Sequence, residues 1–233
     1  LTVEVSKKDA KDGKELPGAK LAILDPSGNQ LDTWTSGETP HRASLPVGAY
    51  LLRELQAPEG YATAKDLSFE IREDLSVTQV GLFNHPIQVE VSKKDLATGE
   101  ELSGAKLTVT DEAGKVVEEW VSDGTPHALQ LPVGTYTLTE TEAPKGYAKA
   151  ESIAFTVADT EELQTVELLN QKIQVEISKK DLTNGEELPG AKLTVTDADG
   201  KVIEEWISTE TPHRLQLPAG AYTLTETEAP KGY

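Results

Sequence analysis

Residues 136–147 read YTLTETEAPKGY, and the same twelve letters recur unchanged at 222–233. A related version, YLLRELQAPEGY, occupies 50–61. Apolar and polar residues alternate at the start of the stretch (Tyr, Thr, Leu, Thr), which is the period of a β-strand, and the Pro and Gly that follow are typical of a turn. The sequence therefore predicts the same strand and the same turn three times.

The repeat extends well beyond this stretch. Trp34, Trp120 and Trp206 are each 86 residues apart, and 47 of the 60 residues at 88–147 are identical to those at 174–233 without a gap. Self-similarity at a fixed period indicates one fold used several times. We therefore expect three domains, at 1–86, 87–172 and 173–233, the last of which ends before its closing strand.

The pattern within each copy has a period of two. AKLTV at 105–109 alternates in this way, and turn sequences such as DPSGN at 25–29 and DADGK at 197–201 separate the alternating runs. Short strands at this spacing predict an all-β fold, an antiparallel sandwich of about seven strands in each copy. A helix at 158–163 is a minor alternative. The junctions HPI at 85–87 and QKI at 171–173 are short, so neighbouring copies should lie nearly end to end, as a rod.

Composition excludes several classes of protein. The net charge of −18 argues against nucleic acid or an anionic membrane as a partner. No apolar run is long enough to span a bilayer, so membrane insertion is not expected. The absence of cysteine excludes disulfides and thiolate metal sites. Because the chain lacks an initiating Met and a signal peptide, we expect a mature segment of a longer protein.

Three strands of each copy place one polar residue on the face that otherwise carries apolar residues, since alternate side chains of a strand share a face. In the first copy these residues are Lys7 (after Val3 and Val5), Glu54 (after Tyr50 and Leu52) and Asn84 (after Val80 and Leu82). Their equivalents are Lys93, Glu140 and Asn170 in the second copy, and Lys179 and Glu226 in the third, which has no Asn strand.

Two interpretations fit this pattern. In the first, the three residues lie at strand ends and extend their polar tips into water. In the second, they meet inside the sandwich, where burial lowers the pKa of Lys and raises that of Glu. The neutral amine is then a nucleophile, and the carboxylic acid can polarise the Asn carbonyl and transfer protons while ammonia leaves. An amide would join Lys to Asn once per domain, without turnover.

The strings VxVxKxD at 3–9 and 89–95, and YxLxExxAPxGY at 50–61, 136–147 and 222–233, resemble those of the Cna B-type, or SpaA-like, prealbumin-fold domains of Gram-positive surface adhesins and pilins. The resemblance implies Ig-like sandwiches with intramolecular Lys–Asn isopeptide bonds catalysed by the Glu. Carried over by position, the bonds are Lys7–Asn84 and Lys93–Asn170, with Glu54 and Glu140 as catalysts. Lys179 and Glu226 would lack an acceptor.

Other candidate sites have simpler interpretations. The single His of each TPH triplet (His41, His127 and His213) lacks the further ligands that a zinc site needs, so a turn with a partly buried imidazole is expected. DADG at 197–200 begins like a calcium loop, but Ser208 stands at the twelfth position, so it indicates a hairpin turn. No metal and no cofactor are expected.

The sequence favours a cross-linked stalk of an extracellular, cell-wall-anchored protein on a Gram-positive surface. A host matrix protein would then bind through a head domain outside this sequence. Two alternatives stay open: the repeats themselves bind a host matrix ligand, or they belong to a pilus subunit. The third copy, with an unused Lys179, is expected to accept a closing strand from another molecule.

Overall fold

The computed structural model describes residues 1–74 and 77–233. These residues contain β-strands, turns and bends but no helix. The predicted all-β class is therefore confirmed. The minor alternative of a helix at 158–163 is wrong, because this segment is an irregular connection with bends.

The first repeat folds into two facing sheets. One has the strand order β4–β1–β7 and the other β3–β2–β5–β6. Alternating burial along β1 and β7 fits the predicted period of two. The strands are β1 (Thr2–Asp9), β2 (Lys20–Leu24), β3 (Gln30–Thr35), β4 (His41–Ser44), β5 (Gly48–Gln56), β6 (Leu67–Ile71) and β7 (Val77–Asn84).

The second repeat has the same topology, with sheets ordered β11–β8–β14 and β10–β9–β12–β13. Identical strand order in both repeats is the structural counterpart of the 86-residue period. The strands are β8 (Val89–Asp95), β9 (Ser103–Asp111), β10 (Val116–Asp123), β11 (His127–Leu129), β12 (Gly134–Glu142), β13 (Ile153–Val157) and β14 (Gln164–Asn170).

The first and last strands of each complete repeat pair in parallel. Strand β1 pairs with β7, and β8 pairs with β14, whereas the other pairings between the described strands are antiparallel. The predicted antiparallel sandwich is therefore confirmed, with this parallel pair as an exception in each complete repeat. The exception matters, because it lays the beginning and the end of each repeat side by side.

The third repeat has five strands within the described chain. Its first sheet contains only β15 and β18, and its second has the order β17–β16–β19. Without a parallel partner, β15 is four residues long, whereas β1 has eight. The strands are β15 (Gln174–Ile177), β16 (Lys192–Asp197), β17 (Val202–Ile207), β18 (His213–Gln216) and β19 (Tyr222–Glu228).

Each complete repeat encloses its own apolar core between the two sheets. In the first repeat the buried residues include Val3, Leu21, Ile23 and Leu52, contributed by both sheets. Burial of such side chains stabilises the sandwich by about 1.5–3 kcal/mol each. The third repeat has a smaller buried cluster of Val195, Leu215 and Leu217.

Tight turns connect the strands where the sequence predicted them. The DADG stretch forms the β16–β17 hairpin, in which the Gly200 amide donates to the Asp197 carbonyl at 3.0 Å. Gly200 has a φ of 80°, which favours glycine. The hairpin interpretation is therefore confirmed. No helix of the described residues is suited to crossing a lipid bilayer.

Candidate cross-linking site

Lys7, Glu54 and Asn84 come from three different strands and meet in the core of the first repeat. Lys7 lies on β1 opposite Leu82 of β7, so Asn84 stands two residues further along the neighbouring strand. Glu54 lies on β5, in the facing sheet. Lys7 is 2% exposed, Glu54 5% and Asn84 0%. The interpretation with polar tips in water is wrong for these residues.

The Glu54 carboxylate lies between the amine and the amide. Its Oε1 is 3.5 Å from Lys7 Nζ, an ion-pair distance. Its Oε2 accepts a hydrogen bond from Asn84 Nδ2 at 2.8 Å. One carboxylate therefore contacts both the candidate nucleophile and the nitrogen that would leave.

Backbone groups of residues 62–64 fix this arrangement. Asn84 Nδ2 donates to the Ala62 carbonyl at 2.5 Å, and the Ala64 amide donates to Glu54 Oε2 at 2.6 Å. A carbonyl oxygen can only accept, so the atom beside it must be the amide nitrogen of Asn84. On the other side, Lys7 Nζ donates to the Leu82 carbonyl at 3.4 Å.

The carboxyl group thus contacts the amide nitrogen of Asn84 and not its carbonyl oxygen. The expectation that the acid polarises the Asn carbonyl is wrong for this arrangement. Asn84 Oδ1 is buried and accepts no hydrogen bond from any described residue, whereas the buried Glu54 Oε1 is compensated by its ion pair with Lys7 Nζ. An unsatisfied buried polar atom costs about 1–3 kcal/mol, so the separate side chains are held in an unfavourable state.

Burial also changes the acid–base behaviour of the amine. Desolvation lowers the pKa of Lys7 below its usual 10.5, and the attraction of Glu54 opposes this only in part. Lys93 has a lowered pKa for the same reason, with Glu140 as the opposing charge. A lowered pKa increases the fraction of neutral amine, which is the nucleophilic form.

The second repeat reproduces the geometry. Lys93 Nζ lies 3.5 Å from Glu140 Oε1, and Asn170 Nδ2 donates to Glu140 Oε2 at 2.8 Å. The amide of Asn170 also donates to the Ala148 carbonyl at 2.6 Å. The exposed fractions are 2% for Lys93, 0% for Glu140 and 1% for Asn170.

The third repeat brings together only the first two members. Lys179 Nζ lies 3.2 Å from Glu226 Oε2, but the two side chains are 27% and 33% exposed. Lys179 follows the end of β15, so the strand does not hold it against the core. Leu224 is 48% exposed, whereas its equivalents Leu52 and Leu138 are fully buried. The closing strand therefore supplies the burial on which the site depends.

A tyrosine–aspartate hydrogen bond beside the site was missed by sequence reasoning. Tyr61 donates to Asp9 Oδ2 at 2.8 Å, and Tyr147 donates to Asp95 Oδ2 at 2.7 Å. The bond connects the last residue of YxLxExxAPxGY to the Asp of VxVxKxD. The two residues stand 52 positions apart in all three copies, which was the available signal.

In the second repeat this contact shifts the pKa values of both Asp95 and Tyr147. The hydrogen bond from Tyr147 is the main cause that lowers the pKa of Asp95 to about 2. Burial, together with the same bond, raises the pKa of Tyr147 to about 12. The bond therefore joins a neutral phenol to an ionised carboxylate over a wide range of pH.

The three histidines of the TPH triplets are partly buried, as expected, but they lie in strands and not in turns. His41 begins β4 and stacks on Trp34, with ring centroids 4.1 Å apart, while its Nε2 lies 2.7 Å from Asp32 Oδ2. The stack connects the edge strands of the two sheets and recurs at Trp120–His127 and Trp206–His213. No group of His, Asp and Glu in the described ranges is arranged to hold a metal ion.

Comparison with known domain families identifies the fold. The SpaA prealbumin-like fold domain matches residues 1–85, 87–172 and 173–233. The chain belongs to this family. The buried trios thus lie in SpaA-type repeats, of which the chain contains three matched segments.

Individual relatives are more distant. The pilus tip adhesin Cpa of Streptococcus pyogenes is 38% identical over 60 residues, which is 25% of this chain and 9% of the relative. The structure of the Bacillus anthracis TIE protein is 28% identical and has a TM-score of 0.49, covering 98% of this chain and 45% of that one. A streptococcal ancillary pilin is 17% identical with a TM-score of 0.42, covering 100% of this chain and 91% of that one.

Proposed function

We propose that the chain is a stalk segment of a Gram-positive surface adhesin or pilin, and that Lys–Asn isopeptide bonds stabilise its repeats. The bonds are Lys7–Asn84 and Lys93–Asn170. The observation that carries this proposal is the burial of Lys, Glu and Asn in both complete repeats, with the Glu carboxylate in contact with both the Lys amine and the Asn amide. The repeats 1–86, 87–172 and 173–233 are the proposed domains.

The proposed reaction is a condensation of an amine with a carboxamide. The neutral Nζ of Lys7 attacks Cγ of Asn84 and forms a new C–N bond. Glu54 takes one proton from the attacking nitrogen and delivers one to Nδ2, which leaves as ammonia when the old C–N bond breaks. The products are one secondary amide and one ammonia, and the carboxyl group returns to its starting state.

Glu54 is placed for both proton transfers, because its two oxygens face the two nitrogens. The sandwich holds the reactants close together, and such proximity can lower the activation free energy by several kcal/mol. The same residue roles apply to Lys93, Glu140 and Asn170. The reaction occurs once in each domain, so the chain is its own substrate and has no turnover.

The bond would stabilise the repeat both thermally and mechanically. Linking Lys7 to Asn84 closes almost the whole repeat, which restricts the unfolded chain by about 4–5 kcal/mol if the link acts as a disulfide would. Tension that enters at β1 would leave through the adjacent end of β7 and bypass residues 8–83. A stalk without cysteine would thereby resist unfolding and proteolysis.

Protease mapping tests the bonds directly. A digest of the purified chain should contain one branched peptide that joins the Lys7 segment to the Asn84 segment, and a second that joins Lys93 to Asn170. In a Glu54→Ala variant the first should be replaced by two linear peptides while the second persists. Linear peptides alone in the unmutated chain would refute the proposal.

Surface location and binding through another region follow from the stalk role. We propose that the repeats act as a cell-wall-anchored spacer and that a head domain outside this sequence contacts a host matrix protein. Saturable binding of a matrix protein to this chain in a solid-phase assay would favour the alternative in which the repeats themselves bind.

We also propose that the third repeat accepts a closing strand from another molecule. Its β15 pairs on one side only, and Lys179 already contacts Glu226. A peptide with the sequence of residues 161–172 supplies an equivalent of β14 with its Asn. Mixing should give an adduct that survives denaturation, and a peptide with Ala at the position of Asn170 should give none. Failure of the first peptide would exclude this role.

A further inference from the structure

The segment at residues 62–64 contacts both the first and the second repeat. The Ala62 carbonyl and the Ala64 amide contact the trio of the first repeat, as described above. Thr63 between them faces the second repeat, where its amide donates to Asp159 Oδ1 and its hydroxyl donates to Asp159 Oδ2, both at 2.7 Å. The Asp159 carboxylate of the second repeat therefore binds Thr63. Thr63 lies between the two alanines whose backbone groups orient Asn84 and Glu54.

The same segment is anchored by packing. Ala62 is 1% exposed and belongs to the apolar core cluster of the second repeat, together with Ile87, Leu129 and Leu131. The Ile87 amide donates to the Gly60 carbonyl at 2.8 Å. The side chain of Ala62 is thus buried by the second repeat while its carbonyl binds the Asn84 amide of the first.

The junction between the second and third repeats lacks this anchoring. Ala148, the equivalent of Ala62, is exposed, and Lys149 replaces Thr63. Ile173 is only half-buried, whereas Ile87 is fully buried. The second trio nevertheless has the same distances, so it serves as an internal control for a site without a neighbour's support.

We propose that the second repeat is a positioning element for bond formation in the first. Asp159 holds Thr63, and thereby limits the motion of the Ala62 carbonyl and the Ala64 amide that orient the leaving amide and the carboxyl group. Because a small displacement of reacting groups lowers the rate strongly, this support accelerates the Lys7–Asn84 condensation. The inference rests on the proposed cross-linking reaction.

One consequence concerns the order of events during synthesis. The first repeat emerges first, but its positioning segment is completed only when the second repeat has folded. Condensation at Lys7 therefore becomes faster once the neighbour is in place. Asp159 is a positioning residue and not a catalytic one, since it touches neither Lys7 nor Asn84 in the described contacts.

The test follows both bonds in the same molecule. The full chain is made by cell-free translation, samples are quenched in denaturant over time, and the two branched peptides are quantified by mass spectrometry. Asp159→Ala should slow formation of Lys7–Asn84 by about three- to tenfold and leave Lys93–Asn170 unchanged. The effect is smaller than the full contribution of two hydrogen bonds to a charged group, because the packing of Ala62 still holds the segment. Thr63→Val, which removes one of the two donors, should have a smaller effect.

The control is built into the chain. Asp159 is exposed in the connection between β13 and β14, and an unchanged Lys93–Asn170 rate reports that the second repeat still folds. Equal rates of Lys7–Asn84 formation in Asp159→Ala and the unmutated chain would overturn the inference. Equal slowing of both bonds would also overturn it, by showing an effect on folding alone. Absence of either bond in the unmutated chain would instead refute the proposed reaction.

Discussion

Lys7 and Asn84 lie on neighbouring parallel strands, in a register that pairs Lys7 with Leu82 and Asp9 with Asn84. The side chains of Lys7, Leu82 and Asn84 share the buried face between the sheets. Residues that are 77 positions apart in the chain are thus two positions apart in the ladder. Because the pairing brings the two ends of the repeat together, a bond between Lys7 and Asn84 would enclose almost the whole repeat.

Removal of the acceptor should destabilise the repeat that contains it. In Asn84→Ala no bond can form, so the first repeat should lose about 4–5 kcal/mol of stability from the missing link, in addition to the hydrogen bonds of Asn84. Chemical denaturation should show a separate transition of lower midpoint for this repeat. Asn170→Ala is the matched variant and should move the transition of the second repeat. Unchanged midpoints in both would contradict the account.

The Lys7 amine should make the stability of an unlinked first repeat depend on pH. In Glu54→Ala the amine stays buried without its counter-charge, so its folded-state pKa is below the unfolded value of 10.5. The unfolded state then binds more protons, and stability should rise with pH from the folded-state pKa up to about 10.5. In the linked chain Lys7 is an amide and does not titrate.

Denaturation of Glu54→Ala across this pH range, relative to the unmutated chain, measures the effect. The double variant Glu54→Ala with Lys7→Met is the control, because it has no buried amine. The pH slope should disappear in the control. A slope that persists without the amine would show that another group causes it.

The Tyr147–Asp95 bond should act over a defined range of pH. The folded-state pKa of Asp95, about 2, is below its usual 3.8. Its contribution to the stability of the repeat is therefore complete above pH 3.8 and disappears as the pH falls through 2. The folded pKa of Tyr147, about 12, is above its usual 10, so its contribution disappears as the pH rises through 12.

A double-mutant cycle of Tyr147→Phe and Asp95→Asn isolates this interaction. The coupling free energy should be constant between about pH 4 and 10 and fall towards zero outside the two folded pKa values. Stability of each variant is measured by denaturation at each pH. A coupling that is absent at neutral pH would contradict the bond.

Strand parity alone predicted much of the site. Alternation placed Lys7, Glu54 and Asn84 on the core face, and the burial of all three agrees with it. Parity could not predict that β1 and β7 are parallel neighbours, because it specifies the face of a strand but not its partner. The orientation of the Asn84 amide depends on the Ala62 carbonyl, a contact across 22 residues that no local pattern encodes.

The third repeat also shows what the residue pattern cannot predict about the site. Lys179 and Glu226 occupy the same sequence positions as Lys93 and Glu140, yet their side chains are partly exposed. The second and third repeats are identical at 47 of 60 aligned residues, but no described strand of the third repeat corresponds to β14. Burial of the trio is therefore a property of the completed sandwich and not of the strands taken singly.

Intact-protein mass spectrometry tests the central claim most directly. The unmutated chain should be lighter than its calculated mass by two ammonia molecules, one for each complete repeat. Glu54→Ala and Glu140→Ala should each restore the mass of one. A chain at its full calculated mass, or a deficit of two ammonia molecules that persists in both variants, would contradict the claim that buried Lys and Asn condense beside Glu in this fold.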